Sequence, residues 1–228
     1  MMTERVEVTV GNSDLTIAYN DVGEGPCVLF LHALGRSSLD WTEVIDDLST
    51  TFRCIAIDLP GHGASSRSER YSFASMAAAV GAVVDRLSLE RYAIVAHSMG
   101  AMTAWILAPG LTEQLVALVT EDTPAPSDRH VYPTVPAEPP EPVDYDWEVR
   151  RQLFVELNDP QPQWRENAGS IQAPVLLVAG HSNDSEMTET REMLAMCEIV
   201  TIPVGHWIHQ EETAGFLEAV RPFLERHS

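Results

Sequence analysis

The chain predicts an α/β architecture: a mostly parallel central sheet of about eight strands covered by helices on both faces. Two observations predict it. Short, continuous apolar runs recur along the 228 residues, as strands buried on both faces of a parallel sheet require. Segments of helical character lie between those runs, the alternation that builds right-handed βαβ units.

The elements follow in order. Residues 6–10 and 15–19 alternate apolar and polar, with a turn at Gly11-Asn12-Ser13-Asp14 between them. The pattern then changes to unbroken apolar runs at 27–31, 54–57, 92–96, 115–119 and 175–178, with a last candidate strand at 198–202. Helices are expected over 41–48, 73–87, 99–107, 185–196 and 212–226. One stretch breaks the rhythm. Nine of the 15 prolines fall between Pro124 and Pro162, in an acidic segment where only 146–158 reads as a helix, with Val149, Leu153 and Leu157 along one face. Residues 123–167 are therefore expected to form a small Pro-rich lid inserted between core segments 1–122 and 168–228, all within one domain.

Composition excludes several functions. The chain carries 34 acidic residues against 14 basic, a net charge of −20. Such a balance repels nucleic-acid phosphates and anionic membrane surfaces, and it disfavours highly anionic substrates. Every basic residue is Arg, so lysine Schiff bases, a Walker-type phosphate lysine and a lysine general base are absent. No apolar run reaches the ~20 residues of a membrane helix. The acidic N-terminus lacks the apolar core of a secretory signal, which predicts a cytoplasmic protein. Cys27, Cys54 and Cys197 are odd in number, lie in apolar stretches and read as free thiols. No nucleotide-binding glycine fingerprint occurs, and a monomer or a homodimer fits equally well.

The chemistry concentrates at Ala96-His97-Ser98-Met99-Gly100, where an expected strand gives way to an expected helix. A serine there sits on a sharp strand-to-helix turn that exposes its hydroxyl. Small neighbours two positions before and after, Ala96 and Gly100, permit the turn. The following helix aims its amides and dipole at the reacting centre.

Four segments together resemble the α/β-hydrolase superfamily over nearly the whole chain. They are His32-Ala33-Leu34-Gly35, Asp58-Leu59-Pro60-Gly61-His62-Gly63-Ala64-Ser65, His97-Ser98-Met99-Gly100 and Val204-Gly205-His206-Trp207. Ala33 and Ala96 stand where the family often has glycine. The resemblance implies Ser98 as nucleophile, His206 as its general base, and the backbone amides of Leu34 and Met99 as oxyanion hole. His209 competes with His206, and the two at this spacing could suggest a metal pair; no convincing third ligand appears, so no metal is expected. For the acid, most family members point to Asp184 and a minority to Glu121, with Asp122 a third possibility.

A serine rather than an aspartate at the elbow separates the chain from dehalogenases and epoxide hydrolases. The expected reaction is cleavage of a carboxylic ester in a small-molecule acyl substrate through an acyl-enzyme, with no metal or organic cofactor. Hydrolysis of a carbon–carbon bond or a lactone on the same residues is an alternative, as is cofactor-free perhydrolysis. A ligand-binding scaffold without turnover is a rival of another class. Tyr145, Trp147, Phe154 and Trp164 could line a pocket but are expected chiefly to anchor the lid, and Met102 and Trp105 to lie in the core.

Overall fold

A computed structural model of the chain describes residues 2–181 and 185–228. Eight strands form one sheet in the order β1-β2-β4-β3-β5-β6-β7-β8. The strands are β1 Thr3–Val10, β2 Ser13–Val22, β3 Cys27–Leu31, β4 Arg53–Ile57, β5 Tyr92–His97, β6 Leu115–Glu121, β7 Val175–Ala179 and β8 Cys197–Thr201. The first two strands form an antiparallel hairpin, and β2 also runs antiparallel to β4; every later pairing is parallel.

The alternation of side chains along each strand explains why the central runs are apolar throughout. In β3, Leu29 and Leu31 enter one core while Val28 and Phe30 enter the other, and all four are fully buried. Ile94 and Ala96 part from Ala93 and Val95 in β5 in the same way, as Val175 and Leu177 part from Leu176 and Val178 in β7. Each large aliphatic side chain removed from water contributes about 1.5–3 kcal/mol. Helices α2 (Phe73–Arg86) and α3 (Met99–Leu107) cover the first face. Helices α1 (Thr42–Leu48) and α8 (Thr213–His227) cover the second, through Val44, Ile45, Phe216 and Val220.

Between β6 and β7 the chain forms α4 (Trp147–Asn158) and α5 (Pro162–Ala168). The sequence signals α4 but not α5: seven residues are too few to show a period, although Pro162 at the first turn supplies the fixed φ that starts a helix. Helix α4 docks on the segment before α2 by its buried Val149 and Leu153. Gln152 Oε1 accepts from the Tyr71 amide at 2.6 Å, Glu156 Oε2 accepts from the Phe73 amide at 2.8 Å, and the Asp146 amide donates to the Gly61 carbonyl at 2.8 Å. Gly61 has φ +81, and a Cβ there would come within 2.5 Å of Val149. Two shorter gaps are filled by α6 (Ser185–Met193), whose C-terminus falls three residues before the expected one, and α7 (Ile208–Glu211). Among the described residues, no helix is long and apolar enough to cross a membrane.

Helix α3 meets the sheet closely at Gly100, where an added Cβ would lie 2.3 Å from the Leu31 carbonyl oxygen and 2.8 Å from that of His32. Gly100→Ala is therefore expected to cost about 1–3 kcal/mol by forcing α3 off the sheet. The melting temperature should drop by roughly 2–12 °C in a chain of this size. Gly110→Ala, which meets nothing within 4 Å, is the control and should melt close to the wild type. Equal melting temperatures for the two variants would refute this account of the contact.

Candidate active site

Two carboxylates and two histidines sort themselves at the C-terminal ends of β5 and β6. Asp122 directly follows β6, and its φ of 44 turns the chain out of the strand. Its Oδ2 lies 2.8 Å from His206 Nδ1, and its Oδ1 accepts from the Gly180 amide at 3.0 Å. Burial alone would raise the Asp122 pKa, but the bonds from His206 and Gly180 outweigh it and hold the carboxyl below its ordinary value. Glu121, the last residue of β6, is fully buried and faces elsewhere. Its Oε2 lies 2.7 Å from His209 Nδ1 and its Oε1 accepts from the His209 amide at 3.0 Å.

Of the three carboxylates weighed as the partner of His206, Glu121 bonds His209 instead. Glu121 ends the strand and is taken up by His209, whereas Asp122, turned out of the strand at φ 44, is the one that meets His206. Asp184 lies outside the described residues. His209, the competitor of His206, belongs to the buried cluster.

Ser98 occupies the turn between β5 and α3 with φ 51 and ψ −113, far from the regions that L-residues favour. Only three non-glycine residues among those described have positive φ, and Ser98 and Asp122 are two of them. Strain of this kind concentrates at functional sites, where the surroundings must hold it in place. Thr123 does part of the holding: its Oγ1 accepts from the Ser98 amide at 3.1 Å and donates to the Glu121 carbonyl at 2.8 Å. The Thr123 carbonyl accepts from Trp105 Nε1 at 3.3 Å. The serine turn and the end of β6 are thus one hydrogen-bonded unit, which no sequence motif signals.

Ser98, Asp122 and His206 line a single cavity of about 550 Å³, in the size range of small-molecule sites. Leu34 and Met99 line it as well, and neither amide has a hydrogen-bond partner among the described residues. His206 is 42% exposed at its side chain, so its ring is reachable from the cavity. Among the described hydrogen bonds none joins the Ser98 hydroxyl to His206; such bonds are commonly long before substrate arrives. Of the four aromatics singled out between β6 and β7, Tyr145 stacks on His62 at 5.2 Å and Trp164 meets Phe73 edge-on at 5.8 Å, both as anchors. Phe154 lines the cavity instead. Met102, expected in the core, also lines it, whereas Trp105 is fully buried.

The histidines of the loops are structural. His32 Nε2 accepts from the Leu59 amide at 2.9 Å, and His62 Nε2 accepts from the Gly35 amide at 3.1 Å. Burial, reinforced by His32, lowers His62 to about 3. His97 lies between the two other histidines, 4.6 Å from the His206 ring and 5.4 Å from the His209 ring, and burial holds it well below 6.5. His209 behaves oppositely. Burial would lower its pKa, but Asp40 at 3.5 Å and Glu121 raise it to about 9. It is therefore an imidazolium stacked on Trp41 at 4.2 Å. His97, Glu121 and His209 bring metal-ligating atoms within 4.8 Å of one another. A divalent ion there would have to displace the His209 proton and its bond to Glu121.

Comparison with known proteins gives one result. The model of the alpha/beta hydrolase fold family matches residues 26–174, more than half of the chain. A protein of Mycobacterium bovis is 35% identical over 113 residues, 46% of this chain and 33% of that protein, so the chain spans about a third of the length of that relative. The mouse sn-1-specific diacylglycerol lipase is 24% identical, over 87% of this chain and 81% of its own length. Among solved structures, an esterase from Thermogutta terrifontis superposes with TM-score 0.84 at 19% identity, covering 99% of this chain and 100% of the other.

The paired histidines set the pH dependence of stability. His209 has its pKa raised from 6.5 to about 9, so its contribution is complete below pH 6.5 and is lost as pH rises through 9. His62 and His97 are depressed, so their contribution is lost as pH falls below 6.5, where the unfolded chain binds protons that the folded chain refuses. Thermal melts should be highest near pH 6.5 and fall by roughly 5–10 °C toward alkaline pH. Glu121→Gln should flatten the alkaline limb, and an unchanged limb in that variant would refute the assignment.

Proposed function

The chain belongs to the alpha/beta hydrolase fold family, and from that premise we propose that it hydrolyses carboxylic esters of small acyl substrates through an acyl-enzyme on Ser98. The observation that carries this reading is the 2.8 Å contact from His206 Nδ1 to Asp122 Oδ2, in a cavity shared with a serine at φ 51. Asp122 fixes the tautomer with the proton on Nδ1, which leaves Nε2 to take the Ser98 proton. The alkoxide attacks the ester carbonyl, and the Leu34 and Met99 amides hold the oxyanion. Each such donor contributes roughly 10²–10³ in rate. His206 then protonates the departing alcohol, and a water that it deprotonates releases the acid and restores Ser98. An elbow aspartate would attack through a carboxylate; a serine directs the chemistry to acyl transfer. We take 123–167 as the lid over this cavity, with 1–122 and 168–228 as the two halves of the core.

A fluorophosphonate probe should label Ser98, found by peptide mass spectrometry, and a short 4-nitrophenyl ester should show a burst of nitrophenol. Ser98→Ala should abolish both. Asp122→Asn should lower kcat by about 10²–10⁴ by misorienting the imidazole, whereas Asp184→Asn should stay within a few-fold. The reverse ranking of those two would move the acid to Asp184. An absence of both adduct and hydrolysis would favour a binding scaffold.

A further inference from the structure

We propose that Arg150 binds a carboxylate of the substrate, so that the preferred esters are half-esters of short dicarboxylic acids. The inference rests on the serine-hydrolase reading of the cavity and adds its selectivity.

Residues Arg150, Leu153, Phe154 and Leu157 of α4 line the same cavity as Ser98, at the i, i+3, i+4, i+7 spacing of one helical face. That face is apolar except for the arginine. Its guanidinium carbon lies 4.7 Å from the Phe154 ring centre and 5.6 Å from that of Trp147. A guanidinium held against aromatic faces keeps its N–H edges free, and those edges match a carboxylate in bidentate fashion. Arg150 is half-buried, and among the described residues no carboxylate pairs with it; the neighbouring Arg151 is paired, at 2.6 Å from Glu148. This leaves a free cation in the catalytic cavity of a chain with 34 acidic residues.

Other ionisable groups on the wall do not fill that role. Glu186 is occupied, accepting from Ser127 Oγ at 2.6 Å through Oε1 and meeting His130 Nε2 at 2.5 Å through Oε2. Asp122 is bound to His206. A single fixed cation suits a monoanion. A phosphate dianion would need a second one, and the net charge of −20 opposes it. The sequence argument against highly anionic substrates therefore stands beside a preference for one carboxylate.

The test compares kcat/KM for the 4-nitrophenyl half-ester of glutaric acid with that for 4-nitrophenyl pentanoate, which has the same acyl length and no charge. The wild type should favour the half-ester. Arg150→Gln should reduce the half-ester to pentanoate ratio by about 10- to 100-fold, the range for hydrogen bonds to a charged group, and Arg150→Lys should restore part of it. A ratio that Arg150→Gln leaves unchanged would overturn the proposal. If neither ester is turned over, the hydrolase reading is what has failed, and titration with glutarate decides the arginine site separately. Binding that Arg150→Gln abolishes supports it, whereas no binding, or binding that survives the substitution, overturns it.

Discussion

The N-terminus of α3 reaches the end of β3 because residue 100 has no side chain. With 2.3 Å between a hypothetical Cβ and the Leu31 carbonyl oxygen, any larger residue would push the helix away. That contact sets where the first amide of α3 stands relative to the turn after β3, and so places the Met99 and Leu34 amides on one cavity. It also traps Ser98 between a strand that cannot lengthen and a helix that cannot retreat. A backbone at φ 51 is costly, about 1–3 kcal/mol for a residue with a Cβ. The compensation comes from the two apolar cores and from Thr123, which clamps the Ser98 amide to the end of β6.

The same geometry divides two neighbouring carboxylates between two tasks. Glu121 ends β6 in register with His97, so its side chain enters the protein and meets His209. Asp122 leaves the strand at φ 44 and meets His206. A buried ion pair such as Glu121–His209 gains little over well-packed apolar residues of the same volume, since its desolvation offsets part of the attraction. Its consequence is more local: breaking it would leave a charge uncompensated, a loss of about 3–5 kcal/mol, beside His97 and behind the His206 ring. His97, held neutral between the two pairs, keeps the imidazolium of His209 from facing His206 directly.

Strands were legible wherever both faces are buried, because a run such as Val28 to Leu31 admits no polar residue on either side. The serine turn was legible because its steric demands fall on fixed neighbours, Ala96 and Gly100. The acid was not. Glu121 and Asp122 are adjacent in sequence and chemically alike; what separates them is the one backbone torsion that ends the strand, which no composition or spacing records. Met102 escaped for a similar reason, since α3 is apolar on every side and its cavity-facing side chain looks like the buried ones. Arg150 did leave a signal, a cation inside the apolar stripe of α4, but its neighbours Arg151 and Glu148 make that helix read as an ordinary charged surface.

The serine, aspartate and histidine of the cavity and its arginine belong to parts of the chain with different constraints. Ser98 and Asp122 directly follow strand ends locked by the sheet, where a small displacement would disturb the cores on both faces, and His206, in the loop between β8 and α7, is tied to Asp122. Arg150, Phe154 and Leu157 stand on α4, which touches the rest through Val149, Leu153 and a few hydrogen bonds to residues 61–73. Leu153 serves both the docking and the cavity, whereas Arg150 and Phe154 line the cavity while only half-buried, so substitutions at those two cost less stability than at Leu153. The charge and width of the cavity can therefore change without moving the serine, the imidazole or the amides. The loss of Gly61 would act on both at once: a side chain there would collide with Val149 and shift α4 together with the cavity wall it carries.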